Sequence, residues 1–204
     1  MLRYVFSVHL RLAVHAALLF AVGLFVSWPI VQYGLRAIGW LPLAIFRLVV
    51  RLIGRSSSIV RSVAVIFGFN TLVIFTYMAS GFHPLLPKLF GIWTGMNIGI
   101  VLGMARAGPF PGASQLRVGQ WLPSRALTSF CGSLVLALEL PCFCFSIAMG
   151  ISMGHAVAAS AESYAAALGA RTAAYFSVIV PLLLCSAVAE AIAIRGMAAG
   201  LRSP

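Results

Sequence analysis

Residues 12–33, LAVHAALLFAVGLFVSWPIVQY, run without a single Asp, Glu, Lys or Arg. A stretch of that length and polarity has very few folded states open to it. The hydrocarbon of a bilayer is about 30 Å thick and takes roughly 20 helical residues to cross. Inside it no water is present to satisfy backbone groups, so the segment is expected to be a helix, which bonds its own backbone. The pattern recurs at residues 63–82, 89–105, 127–149 and 173–194, interrupted only by Glu139 and Glu190. With 62% hydrophobic and 8% charged residues, the expected fold is an all-α polytopic membrane protein. Residues 1–204 form one domain of about five transmembrane helices, with no mass left for a soluble catalytic unit.

The basic start MLRYVFSVHLR suits a signal peptide, but the apolar run behind it is too long for one and has no clear small-x-small cleavage site. It is expected to be the first span. The connections GFHPLLPK and AGPFPGAS carry Pro and Gly, which break helices where backbone groups reach headgroup water. The segment RAIGWLPLAIFRLVVRLIGR, residues 36–55, is different in kind. Arg47, Arg51 and Arg55 recur every fourth residue and form one basic stripe on an otherwise apolar helix. That is the pattern of an amphipathic helix lying in the membrane interface, with arginines toward phosphate and Trp40 at headgroup level. A sixth span is the alternative, and it requires internal partners for Arg47 and Arg51.

The chain has 14 Lys plus Arg against three acids, a net charge of +11. In a soluble domain that excess suggests nucleic acid; here the bases cluster between spans, so anionic lipid headgroups are the expected partner and nucleic acid is not. Under five spans, Arg3, Arg11, Lys88 and Arg171 fall on one side and the other ten bases on the opposite side. Basic loops stay in the cytoplasm, which predicts a cell (cytoplasmic or inner) membrane protein with its N-terminus outside and its C-terminus cytoplasmic.

The third span, GIWTGMNIGIVLG, places glycine at 91, 95, 99 and 103. Spacing by four keeps these residues near one face, drifting by about 40° per step, and leaves a shallow groove that a neighbouring backbone can enter. Lipid provides little hydrophobic force between helices, so close van der Waals contact and polar groups such as Asn97 must hold them together. Packing within the chain and docking of another subunit both use such a groove. Gly150 and Gly154 add one further pair.

Glu139 lies mid-span before Pro141, and Glu190 follows Pro181. A carboxylate at this depth costs several kcal/mol unless protonated, paired or wet. It serves either as a polar lock, bonded to a neighbour such as Asn70 or Asn97, or in proton or ion handling. The four cysteines form no CxxC pair, and the four histidines are scattered, so no metal, cofactor or disulfide framework is expected. With no Ser/His/acid set, HExxH or phosphate loop, no catalysis is expected.

Phe69-Asn70, Gly81, the span with Asn97, Gly99 and Gly103, Glu139-Leu140, Val180-Pro181 and Glu190 come in an order that resembles the stage II sporulation protein M family. The similarity covers roughly residues 60–195. That family usually carries His-Gly four and three residues before the first intramembrane Glu, where this chain has Val135 and Leu136. The resemblance implies a noncatalytic polytopic scaffold or accessory subunit that docks other membrane proteins. A small ion- or proton-coupled transporter using Glu139 and Glu190 is the competing expectation.

Overall fold

A computed structural model describes residues 2–33, 35–54, 58–107 and 125–200. Arg55, the third member of the basic stripe, lies outside them. The described residues contain helices and no strand. Seven helices follow in order: α1 Leu2–Gln32, α2 Arg36–Gly54, α3 Ile59–Ala79, α4 Leu86–Ala107, α5 Arg125–Ala158, α6 Tyr164–Ala174 and α7 Val180–Gly200. A five-residue π turn, Tyr175–Ile179, joins α6 to α7 in one continuous rod.

Five rods are long and apolar enough to cross a membrane: Leu10–Gln32, Ile59–Phe82, Leu86–Gly103, Ser129–Ala158 and Tyr164–Arg195. The chain is a multi-pass helical membrane protein, and α2 is not among the crossing segments. Among the described residues, five such rods put the start of α1 and the end of α7 at opposite ends of the bundle. The α3–α4 and α5–α6 turns share the end where α1 enters. The opposite end carries α2, the start of α3 and α5, and the end of α7.

The last two spans start and stop differently from the sequence expectation of 127–149 and 173–194. Helix α5 continues through Gly150 and Gly154 to Ala158, and the next rod already begins at Tyr164. The glycine pair Gly150 and Gly154 lies inside α5, and both are contact points. A Cβ on Gly150 would come 2.6 Å from the Tyr77 carbonyl oxygen, and one on Gly154 would come 2.7 Å from Pro84 Cα. Bare backbone therefore seats the α3–α4 turn on α5. The connection itself is short: Ser160 adopts φ 54°, Ala161 N donates to the Ala156 carbonyl at 3.0 Å, and Ser163 caps α6 by accepting from Ala166 N at 3.3 Å. A left-handed residue followed by a 6→1 bond is a standard helix stop.

The second half of α1 lies parallel to α4, from Leu19 beside Gly91 to Val31 beside Gly103. Gly91 approaches Leu19, Gly95 the Phe20 backbone, Gly99 the Ser27 side chain and Gly103 Val31. The α1 side contributes Gly23, whose added Cβ would strike the Ile92 carbonyl oxygen. In lipid this interdigitation of backbones gains dispersion at the shortest separation. At Gly23 and Gly95 the glycine hydrogen that takes the place of Cβ points at the carbonyl oxygen of Ile92 or Phe20, which adds weak Cα–H···O contacts.

Helix α2 spans about 28 Å at 1.5 Å per residue and lies across one end of the bundle. Near its start Gly39 faces Ile100 of α4. Near its end Ile53 and Val49 join Ile66 and Val63 of α3 with Ala187 and Ala191 of α7. Its packed face is thus spent on protein, and Trp40, Arg47 and Arg51 point outward, exposed.

Candidate functional site

The interior polar groups meet where α3, α5 and α7 converge. Asn70 sits on α3 between Phe67 and Ile74, which pack toward the core, so its amide is directed inward with them. Its Nδ2 donates to Glu139 Oε1 at 2.7 Å. Ser186 of α7 is fully buried, and its Oγ donates to the same oxygen at 2.9 Å. Glu190 follows Ser186 by four residues on the same face of α7, one helical turn beyond the residue that bonds Glu139. Two of the sequence-expected polar residues, Asn70 and Glu139, are therefore joined directly, and Glu190 stands beside them.

Asn97 is not bonded into this cluster. Its Oδ1 is buried without a partner among the described residues, as are Thr71 Oγ1, Ser146 Oγ and Arg171 Nε. Ser186 is the member that sequence reasoning missed. The available signal was its placement one turn before Glu190, where helical geometry puts both on one face.

Prolines shape the surroundings. Pro141 lies two residues beyond Glu139 in α5, and the π turn Tyr175–Ile179 immediately precedes Pro181. Proline gives no N–H to the i−4 carbonyl, and widening the preceding turn accommodates that missing bond. The irregularity leaves a small apolar gap of about 50 Å³ between Pro141, Phe145, Val178 and Leu182. The Tyr175 hydroxyl next to it donates to the Thr71 carbonyl oxygen at 2.6 Å, tying the π turn to α3.

Toward the end where α1 enters, Thr94 Oγ1 lies 2.7 Å from the Tyr77 hydroxyl and 2.7 Å from the Phe90 carbonyl oxygen. The Tyr164 hydroxyl donates to the Ala79 carbonyl at 2.6 Å. Arg171 pairs with Glu162 at 3.2 Å and also donates to the Ala167 carbonyl at 2.9 Å and Ser152 Oγ at 3.4 Å. These bonds fasten α6 to α5 and anchor the polar end of the bundle.

No set of three His, Cys, Asp or Glu side chains is close enough to hold a metal ion among the described residues. All four cysteines are free; Cys131, Cys142 and Cys144 are buried and Cys185 is exposed. The arrangement can hold α3, α5 and α7 in register through a shared carboxylate, with a second acid one helical turn away on α7.

One surface stands apart. Along α5, Ile151, Ala148 and Cys144 are buried against α1 and its neighbours. The same helix face continues through Pro141, Ala137, Ser133 and Phe130, and all four are exposed. Beside them a Cβ on Gly132 would meet nothing within 4 Å, and the same is true of Gly68 on α3. No family model matches the chain, and no curated protein or solved structure matches it.

Proposed function

We propose that this protein is a noncatalytic accessory or scaffold subunit of the cytoplasmic membrane, docking a helix of another membrane protein against the uncovered half of α5. The carrying observation is that a single helix face is buried through Cys144 and exposed from Pro141 to Phe130, next to a glycine that no described residue approaches. The glycines of α4 do not supply the dock, because α1 of the same chain covers them. Small side chains in lipid favour close helix contact, and Gly132 carries a helix cost of about 1 kcal/mol that no contact with a described residue offsets. The resemblance to the stage II sporulation protein M family supports the same class of role. The excess of basic residues at the end carrying α2 supports a cytoplasmic C-terminus and an external N-terminus.

Site-specific photo-crosslinking in native membranes tests this reading. A photoreactive residue at position 133 or 137 is expected to give adducts with one recurrent protein, and one at Leu18 on the outer face of α1 none. Gly132→Leu should leave the fold intact and abolish the adducts. Absence of adducts, or adducts formed only within the chain, overturns the proposal.

The meeting of Glu139 with Asn70, Ser186 and Glu190 favours a second reading, a small ion- or proton-coupled transporter. It requires gradient-driven flux in proteoliposomes that Glu139→Gln abolishes; no flux under any cation or pH gradient removes it.

A further inference from the structure

We propose that the outward face of α2 is a binding surface for anionic phospholipid headgroups. This inference is independent of the partner-docking role. Around α2 the side chains fall into three sectors. Gly39, Pro42, Val49 and Ile53 face the bundle. Trp40, Arg47 and Arg51 lie on the opposite side, all exposed. Between these two sectors Ile38, Leu41 and Leu48 form an apolar flank, 45%, 40% and 54% exposed.

The fixed packing of the first sector decides what the other two can do. An isolated amphipathic helix rolls until its apolar face sinks into lipid. Here Ile53 and Val49 are held by α3 and α7, so the rotation of α2 is set by protein and the arginines occupy a defined position. Arg47 and Arg51 are one turn apart, about 6 Å along the axis. A phosphate bound between them leaves its acyl chains running along Leu41 and Leu48. Trp40 lies on the same face as the arginines, where an indole suits the headgroup layer.

Charge complementarity selects the occupant. Of the three acids in the chain, Glu162 pairs with Arg171 at the opposite end, Glu139 of α5 is bonded to Asn70 and Ser186, and Glu190 lies on α7 one turn beyond Ser186. Arg47 and Arg51 make no ion pair with any described residue. Guanidinium groups without an acid in their own chain, standing beside an exposed apolar strip, match a phosphodiester headgroup with its attached chains.

The test uses the full-length protein in vesicles of phosphatidylcholine containing trace spin-labelled phosphatidylglycerol or spin-labelled phosphatidylcholine. The motionally restricted fraction of each probe reports its relative affinity for the protein surface. Two arginines near an anionic surface set a ceiling on the order of thirty-fold for selectivity, reduced as salt is raised. Wild type is expected to select phosphatidylglycerol by several-fold or more in low salt. The Arg47→Gln/Arg51→Gln double variant should lose most of that selectivity, and Lys88→Gln at the other end of the bundle should keep it. Because both substituted arginines are exposed, circular dichroism should show an unchanged fold. Equal retention of the two probes by wild type overturns the proposal. So does selectivity that survives in the double variant, including the case where that variant instead loses an acidic protein partner.

Discussion

Alanine placed at single glycines separates the cost of backbone approach from helix propensity. Each Gly→Ala change removes the glycine penalty, about 1 kcal/mol in favour of the helix. At Gly68 a Cβ meets nothing within 4 Å, so Gly68→Ala should stabilise by about 0.5–1 kcal/mol. At Gly91 the nearest atoms are Leu19 Cβ at 3.3 Å and Ile147 Cδ1 at 3.5 Å. Those atoms need to give by only a few tenths of an ångström, and the net change should be near zero. At Gly95 the new methyl strikes the Phe20 carbonyl oxygen, with Phe20 C at 2.9 Å and Leu24 N at 3.1 Å. Backbone has no rotamer to change, so α1 and α4 must move apart. A seam with roughly 50 atom pairs at 0.1–0.2 kcal/mol each loses a quarter to a half of its dispersion over a gap of 0.5–1 Å. After the propensity gain, Gly95→Ala should cost roughly 2–4 kcal/mol, including overpacking strain. Reversible unfolding by SDS titration from mild detergent, followed by helicity, gives the energies. Heating with a thiol-reactive dye gives an independent order, because Cys131, Cys142 and Cys144 are buried and react on unfolding. The reasoning is refuted if Gly95→Ala is as stable as Gly68→Ala.

The same SDS titration checks three further expectations. Glu139→Leu strands the Asn70 amide and the Ser186 hydroxyl and should cost about 1–3 kcal/mol; Glu139→Gln keeps an acceptor oxygen and should cost less than about 1 kcal/mol. Tyr175→Phe removes a 2.6 Å bond to the Thr71 carbonyl oxygen and should cost about 1 kcal/mol, with little change in packing. Glu162→Gln breaks an ion pair whose carboxylate is 46% exposed, so the loss should stay below about 1 kcal/mol and vanish in 1 M salt. Arg171→Met should lose more than Glu162→Gln, since the bonds to Ala167 and Ser152 disappear as well.

The spans were legible because lipid leaves an apolar run of 20 residues little freedom, and the stripe of Arg47 and Arg51 marked α2 as different for the same reason. The facing ends of the fourth and fifth spans differ from the sequence expectation, since α5 runs through Gly150 and Gly154 to Ala158 and the next rod starts at Tyr164. A glycine terminates a helix when its backbone turns left-handed and continues one when a neighbour needs its space, and only the position of Tyr77 and Pro84 decides between them. The groove of α4 could be read from its spacing, but its occupant could not, since Gly23 is a lone glycine in α1 with no periodic partner. The acid cluster was half legible: depth made Glu139 and Glu190 conspicuous, while Ser186 is an ordinary small residue until α5 is laid against α7.

The position of Glu139 ties the two functional readings to one element. Above Pro141, α5 is held by α1, α3, α4 and the last rod. Below it, Cys131, Leu134 and Val135 pack on Ala189 and Ala193 of α7, while the face through Ala137 and Ser133 stays uncovered. The two hydrogen bonds to Glu139 therefore sit at the point where α5 passes from a fully packed helix to one held mainly on one side. A partner seated on Ala137 and Ser133, as proposed, would bear on the segment that those bonds keep in register, so the proposed dock and the Glu139 cluster share one stretch of α5. Charge tells them apart, because register needs only an acceptor oxygen at position 139, which glutamine retains, whereas carrying a proton or cation needs a titratable one.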